Sequence, residues 1–434
     1  MVGGPVPAWR GWLALASLTL GLGLVGLALA PARAAGVSWT PLTALPISAS
    51  QHPMLWQLAA DPRNPRRLVA ATSQGVFASS DQGTTWQATS MRDFTWTVAF
   101  ASSGTLLAGT DHAGVQRSTD GGQNWAADNA GLKSLDVRAI AVGPTAIVLG
   151  TQGGVYLGGN GAGWEQVGLT TVSISSVAIV ANSPLGVVAG SDGQVAPSNL
   201  YRSLGVGSAG GWQPLPGGDP GGAPVFAVAA GPLAQGASSP PLLVGSLKGL
   251  YASPDGGNSW QARTLGQGAL WSVNTIAFDP ENPAVVYVGG DNGGSSGGGL
   301  QRSLDGGSSW TRFKQGLPAS DVEGLSALGT NPLTVLAALW SPTRREPAAA
   351  LLLDTSAPGP VALQSATGTP IAVNVSPLPT SPARHHHQGT SGQKSGSLPA
   401  WLIPVVVVAL LLAALVVYLL VQRRRRRLDA EAPP

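Results

Sequence analysis

The sequence predicts an all-β fold, a seven-bladed β-propeller followed by a single C-terminal transmembrane helix, and three observations carry that expectation. An eight-residue pattern, Ser-x-Asp-x-Gly-x-x-Trp, occurs intact at Ser79–Trp86, Ser118–Trp125, Ser253–Trp260 and Ser303–Trp310. Its tryptophans, together with Trp164 and Trp212 of two degenerate copies, are spaced by 39, 39, 48, 48 and 50 residues. Between them lie short runs of small and apolar residues, such as 106–110, 147–151 and 242–246, separated by Gly, Pro, Asn and Asp turns. Many short strands at even spacing indicate a barrel, sandwich or propeller. A period of this length with four strands per unit selects the propeller, whose blade is one four-stranded antiparallel sheet.

The eight-residue box has the chemistry of a turn between the third and fourth strands. Its Asp (Asp81, Asp120, Asp255, Asp305) accepts bonds from backbone N–H groups just ahead, its Gly supplies positive φ, and its Trp (Trp86, Trp125, Trp260, Trp310) enters the fourth strand and packs on the neighbouring sheet. These eight residues are expected to be structural. One carboxylate per turn falls far short of the roughly 6–8 oxygens that calcium takes.

The box resembles the Asp-box repeat of sialidases, oligoxyloglucan-type glycoside hydrolases, sortilin-like receptors and photosystem II assembly factors. Phe278-Asp279-Pro280-Glu281-Asn282-Pro283, then Val286-Tyr287-Val288-Gly289, then Gly299 to Gly307, is most similar to the last three groups. The resemblance covers about residues 37–356 and implies a fold; these families share the box and differ in activity. The Arg-Ile-Pro motif of sialidases has no match, and the arginines form no dense patch like the one that marks the partner site in the assembly factors.

Blade number follows from the ends of the repeat. After Trp310 come three further strand-like runs, 322–328, 333–340 and 348–354, without a box. Val37-Ser38-Trp39-Thr40-Pro41-Leu42 resembles the strand after a box and lacks three partners of its own. Pairing the two completes a seventh blade and hides the sheet edges. Six blades, or eight with 361–375 recruited, are the alternatives.

Outside the propeller, assigned to 35–356, four segments are expected. Residues 1–34 read as a signal peptide, with an apolar run from Trp12 to Leu29 and Ala32-Arg33-Ala34 at the cleavage site. Residues 357–399, rich in Pro, Ser, Thr and Gly, read as a stalk; its His385-His386-His387 lacks partner ligands, so no metal is assigned. Ala400–Val421, 22 residues without charge, reads as a membrane span, and 422–434, opening on Arg423–Arg427, as a cytoplasmic tail. That topology places the propeller on the extracytoplasmic side of the cell membrane.

The chain has 24 basic and 21 acidic residues and a net charge of +3, but residues 35–399 hold 17 basic and 19 acidic ones. The positive charge therefore belongs to the membrane flanks and argues against nucleic acid as a partner. With 0 cysteines, no disulfide braces the domain.

A ligand is expected at the end opposite the boxes. Strand alternation puts Arg92, Asp93, Asp111, His112, Lys133, Asp136, Arg138, Asp192, Asp219, Lys248, Asp291, Asn292, Asp321, Glu323, Arg344, Arg345 and Glu346 in loops there, with Trp96 and Trp271 flanking them. The expected function is a membrane-anchored binding or assembly module for a protein or glycan, without a cofactor. The alternative is a glycoside hydrolase, which requires two convergent carboxyls; Asp111, Asp192 and Asp291 are the candidates.

Overall fold

A computed structural model describes residues 37–363, except 49–52, 102–103, 159–161, 183, 192, 194–197, 207–210, 216–221, 266–271, 292–298, 314, 318–320 and 342–345. The expected signal peptide, most of the stalk, the membrane span and the tail lie outside the described residues. So do Asp192, Trp271 and Asn292. Among the described residues no helix is long and apolar enough to cross a membrane.

The chain forms seven four-stranded antiparallel sheets, each following sequence order except the last. Blades 1 to 6 comprise residues 55–88, 95–127, 137–168, 174–214, 225–263 and 272–312. Blade 7 joins 321–354 to Thr40–Pro41, which pairs antiparallel with Ala350 and Leu351. The first strand of each blade packs on that of the next, and blade 7 packs on blade 1, so the ring closes around an axis lined by first strands. Seven clusters of buried apolar side chains fill the spaces between blades.

Closure rests on Trp39. Its ring is 3% exposed and its indole N–H donates to the Phe313 carbonyl of blade 6 at 3.1 Å. Trp164 and Trp212 do the same, donating to Asp128 and Val167 of the preceding blades. The tryptophans of three intact boxes instead donate to a glycine of their own box, Gly122, Gly257 or Gly307. The resemblance of Trp39 to a fourth-strand entry is therefore correct in detail. Boxed fourth strands begin one residue after the Trp rather than with it.

Inside each box the geometry repeats. In the last, Ser303 donates to Asp305 Oδ1 (2.7 Å) and accepts from Gly307 N–H (2.8 Å), while Asp305 accepts from the N–H groups of Ser308 and Ser309 and from the Ser309 hydroxyl. Gly306 and Gly307 take φ of 69° and 87°, values that suit glycine. In the first box Gln82 occupies the earlier of these positions at 62°.

Glycine is also required where blades meet. A Cβ on Gly109 would lie 2.6 Å from the Val137 carbonyl oxygen, and one on Gly245 2.5 Å from that of Val273. In both, a second strand passes the first strand of the next blade too closely for a side chain.

An ionic contact ties blade 7 to blade 6: Arg302 reaches Asp354 Oδ2 at 2.6 Å, stacks 4.0 Å from the Phe313 ring, and shares Asp354 with the Tyr287 hydroxyl. Burial favours the protonated Asp354, but Tyr287, Ser356 and Arg302 outweigh it and lower its pKa. Residues 357–363, assigned to the stalk by composition, instead run along blades 5 and 6. Gly359 accepts from Asn282, Val361 N–H donates to Glu281, and Ala362 accepts from Gln235. Val361 is thereby used at the box end and starts no eighth blade.

Two outcomes follow. Trp39→Ala lowers stability by about 3–5 kcal/mol, the usual range for a buried tryptophan, measured by chemical denaturation; a loss below 1 kcal/mol refutes the clasp. The box aspartates also predict an acid transition. Asp81 is held near pKa 2 chiefly by the Thr85 hydroxyl, Asp120 by the Asn124 N–H and Asp255 by the Ser259 hydroxyl. At Asp305 burial is the largest single effect and raises the pKa, but the bonds from Ser309, Ser303 and Ser308 together outweigh it, again giving about 2. All four pKa values lie below the 3.8 of the free group, so this stability is present above about pH 4 and lost as pH falls toward 2. Melting temperature should drop across that window, less steeply in Asp305→Asn.

Candidate functional site

The ladder between first and second strands skips one residue near the start of every first strand. The unpaired residue lies between Leu55 and Gln57, Thr95 and Thr97, Val137 and Ala139, Ile174 and Ser176, Val225 and Ala227, Val273 and Thr275, and Val322 and Gly324. The seven skipped residues are Trp56, Trp96, Arg138, Ser175, Phe226, Asn274 and Glu323. A bulge leaves one residue out of the ladder and re-aims its side chain. Here it does so once per blade, at the end opposite the boxes.

Neighbouring bulge residues meet around the ring. The Trp56 and Trp96 rings are 5.1 Å apart, with Phe94 4.5 Å from Trp96 and 5.8 Å from Trp56. The Arg138 guanidinium lies 5.8 Å from the Trp96 centroid. Ser175 donates to the Val225 carbonyl at 2.7 Å. Gln57 crosses from blade 1 to accept from Thr97 and Val98 of blade 2, and Thr275 accepts from Leu325 N–H of blade 7. Gly324 fits directly against the Trp56 carbonyl, leaving no room for a Cβ and making the blade 7 and blade 1 sectors continuous.

Two electrostatic clusters occupy this ring. At blade 3, Arg138 pairs with Asp136 at 3.1 Å, and His112 lies 3.1 Å from Asp111 nearby. Burial raises the pKa of Asp136, and Arg138 opposes the rise. At blades 6 and 7, Glu323 is fully buried, and neither of its carboxyl oxygens nor Asn274 Nδ2 has a hydrogen-bond partner. Ser272 donates to Asn274 Oδ1 and to Asp291 Oδ2. Burial first, then Asp321 and Asp291, push the Glu323 pKa up to about 8; the adjacent Asn274 amide opposes this without forming a well-shaped bond. Glu323 is therefore a neutral acid at pH 7.

The expected site residues are distributed accordingly. Asp111, His112, Asp136 and Arg138 come together beside Trp96, whereas Asp291 joins Glu323 on the other side of the ring. Asp111 and Asp291 thus belong to different clusters. Arg92 and Asp93 are exposed just before blade 2, and Lys248 is exposed in a turn of blade 5. Trp56, Ser175, Phe226 and Asn274 were not singled out from sequence. The available signal was the shared frame of the first strands, in which a variable residue follows the first buried position: Leu55-Trp56, Val225-Phe226, Val273-Asn274, Val322-Glu323. Among the described residues no three acidic or histidine side chains are placed to hold a metal ion.

No protein-family model matches the chain, and no curated protein matches it. Solved structures do. The fold is similar to YCF48 from Cyanidioschyzon merolae, with TM-score 0.50, 17% identity, and coverage of 73% of this chain and 98% of that one. It is also similar to the extracellular domain of a one-component system from B. thetaiotaomicron (TM-score 0.50, 13% identity, 72% of this chain and 40% of that one). A GH74 xyloglucanase from Xanthomonas campestris gives TM-score 0.45 and 19% identity over 73% of this chain and 54% of that one. This chain thus spans about half or less of the last two. At these identities the likeness is one of fold.

The raised Glu323 pKa has a defined sign. Its folded value, about 8, lies above the ordinary 4.5, so its contribution to stability is present below pH 4.5 and lost as pH rises through 8. Glu323→Gln should flatten the fall in melting temperature between pH 5 and 8 and exceed wild type at pH 8. Parallel curves for the two proteins would show that Glu323 ionises normally.

Proposed function

We propose that this chain is a binding module that holds a protein or glycan ligand at the axial end opposite the boxes. The ring of bulge residues supports this reading. Each blade needs one residue there to complete the bulge, and packing alone would be served by the same residue seven times. Instead the ring carries two tryptophans, a phenylalanine, an arginine, an asparagine, a serine and a glutamate, while the positions flanking them stay apolar or small except for Gln57, which bonds blade 2. Chemical variety imposed on a repeated geometry is what selective recognition requires. The reading places the propeller on the extracytoplasmic side of the cell membrane, with Ala400–Val421 as the anchor and Arg423–Arg427 inside.

Glu323 favours a second reading. A neutral acid beside Asp291 and Asp321 is the pairing that glycoside hydrolysis uses. Aromatic stacking and a proton donor at one site would suit a glycan in either reading.

The test is a glycan array, a hydrolysis screen and a displayed peptide library, each presented to the full chain and to Trp96→Ala and Arg138→Gln variants whose folding is verified by thermal melting. Ligands should bind at least tenfold more weakly to the ring variants. Ligands indifferent to both, but blocked by Arg66→Glu at the box end, would move the site to the other face. Turnover abolished by Glu323→Gln would establish the hydrolase.

A further inference from the structure

Two tryptophans of the ring are buried outside the apolar core. Trp56 is 2% exposed and Trp96 8%, yet among the described residues neither they nor Phe94 joins any of the seven clusters between blades. The three pack on one another instead, and Phe94, in the segment just before blade 2, is the most exposed of them. Six other indoles, those of Trp39, Trp125, Trp164, Trp212, Trp260 and Trp310, donate to a carbonyl. The N–H groups of Trp56 and Trp96 have no hydrogen-bond partner. Trp86 at the box end shares this lack, but there Thr43 N–H has taken the Gly83 carbonyl. A buried donor without an acceptor weakens a fold, so packing by itself would put phenylalanine at 56 and 96, as blade 5 does with Phe226.

The charges beside the trio define what can supply acceptors to these indoles. Arg138 lies 5.8 Å from the Trp96 centroid, so a ligand cation would meet a guanidinium on that ring. Asp136 pairs with Arg138, the exposed Asp93 directly precedes Phe94, and Asp111, whose N–H donates to the Phe94 carbonyl, lies close to Asp136. An anion would therefore meet carboxylates. A neutral group with acceptors of its own is left. The main chain here is already paired, Asp111 N–H with Phe94 and Val98 N–H with Gln57, whereas an extended peptide is held through main-chain bonds. A pyranose needs none of these: its hydroxyls both donate and accept, and its C–H groups form an apolar face.

Resting on the binding reading above, we propose that the blade 1 to blade 3 sector of the ring binds a neutral pyranose unit of a glycan, whose oxygens accept from the indole N–H groups of Trp56 and Trp96. Both nitrogens are shielded from solvent, so binding includes a shift of Phe94, which then covers the C–H face of the sugar. Asp111, a third exposed, accepts from a hydroxyl of the same ring. Arg138, held by Asp136, keeps Trp96 in place from its other neighbour, blade 3. The two indole donors weaken the empty fold and are satisfied in the complex.

The experiment titrates the full chain by calorimetry with pentasaccharides of glucose, mannose, galactose and N-acetylglucosamine, and with the charged counterparts of the last two, pentamers of galacturonate and of glucosamine. At least one neutral pentasaccharide should bind, and neutral forms should bind about tenfold more tightly than their charged counterparts. Trp56→Phe and Trp96→Phe keep an aromatic ring and remove the donor. Each should weaken binding about tenfold, the worth of one hydrogen bond, while the melting temperature of the unliganded protein stays equal to wild type or rises. Phe94→Ala should weaken binding as well. Binding unaltered in both Phe variants overturns the proposal, as does tighter binding of a charged pentamer or the absence of any neutral saccharide ligand. A fall in melting temperature in both Phe variants overturns it too, because the donors would then serve the fold. A peptide from the displayed library that is lost in Trp96→Ala, with no saccharide bound, leaves the binding module standing without its sugar site. Ligands insensitive to every ring variant remove both.

Discussion

Every blade of this protein is apolar on both faces, and that constraint governs the rest. Blade 2 buries Leu106 toward blade 1 and Leu107 toward blade 3, and blade 3 buries Leu149 toward blade 2 and Val148 toward blade 4, so neither sheet has a face to give to water. Stacking such sheets in a row would leave two ends bare, and bending the row into a ring leaves none. Closure then depends on Thr40–Pro41 reaching blade 7, with Trp39 bonded to blade 6. The cost of bringing chain segments so remote in sequence together is offset by burial around the whole ring.

The ring also dictates where variety is allowed. Blades converge on the axis, and where a second strand meets the next first strand the gap closes to a backbone's width. Gly109 and Gly245 fill it because any Cβ would strike a carbonyl oxygen. Beside these contacts the first strand bulges, which frees one residue per blade from pairing. Packing therefore fixes the neighbours of Trp56, Trp96, Arg138 and Glu323 and leaves these four free to differ. The same compression desolvates them. A glutamate at that depth next to Asp321 and Asp291 keeps its proton, whereas Arg138 pairs with Asp136 and lies over Trp96.

The boxes do the opposite work at the other end. Their aspartates are solvated and held ionised by hydroxyl and backbone donors, and their serines and glycines close each hairpin locally. One end of the molecule thus carries four near-identical turns, the other seven bulge side chains of six kinds.

Sequence alone determined the box geometry, the four-strand unit, the count of seven and the closing role of the segment at Trp39. Each of these is written in local spacing: a turn's hydrogen bonds span four residues, and a blade is contiguous in the chain. It also placed Asp111, Asp136, Arg138, Asp291 and Glu323 at the end opposite the boxes, because strand alternation assigns every loop to one of two faces. It did not pick out Trp56, Ser175, Phe226 or Asn274, since a bulge breaks the two-residue alternation by which strand faces are read. Only the tertiary structure decided that Asp111 and Asp291 belong to separate clusters, that residues 357–363 return to blades 5 and 6, and that Glu323 is a neutral acid. Those facts depend on distances between blades and on exclusion of water, which arise when remote first strands meet around one axis.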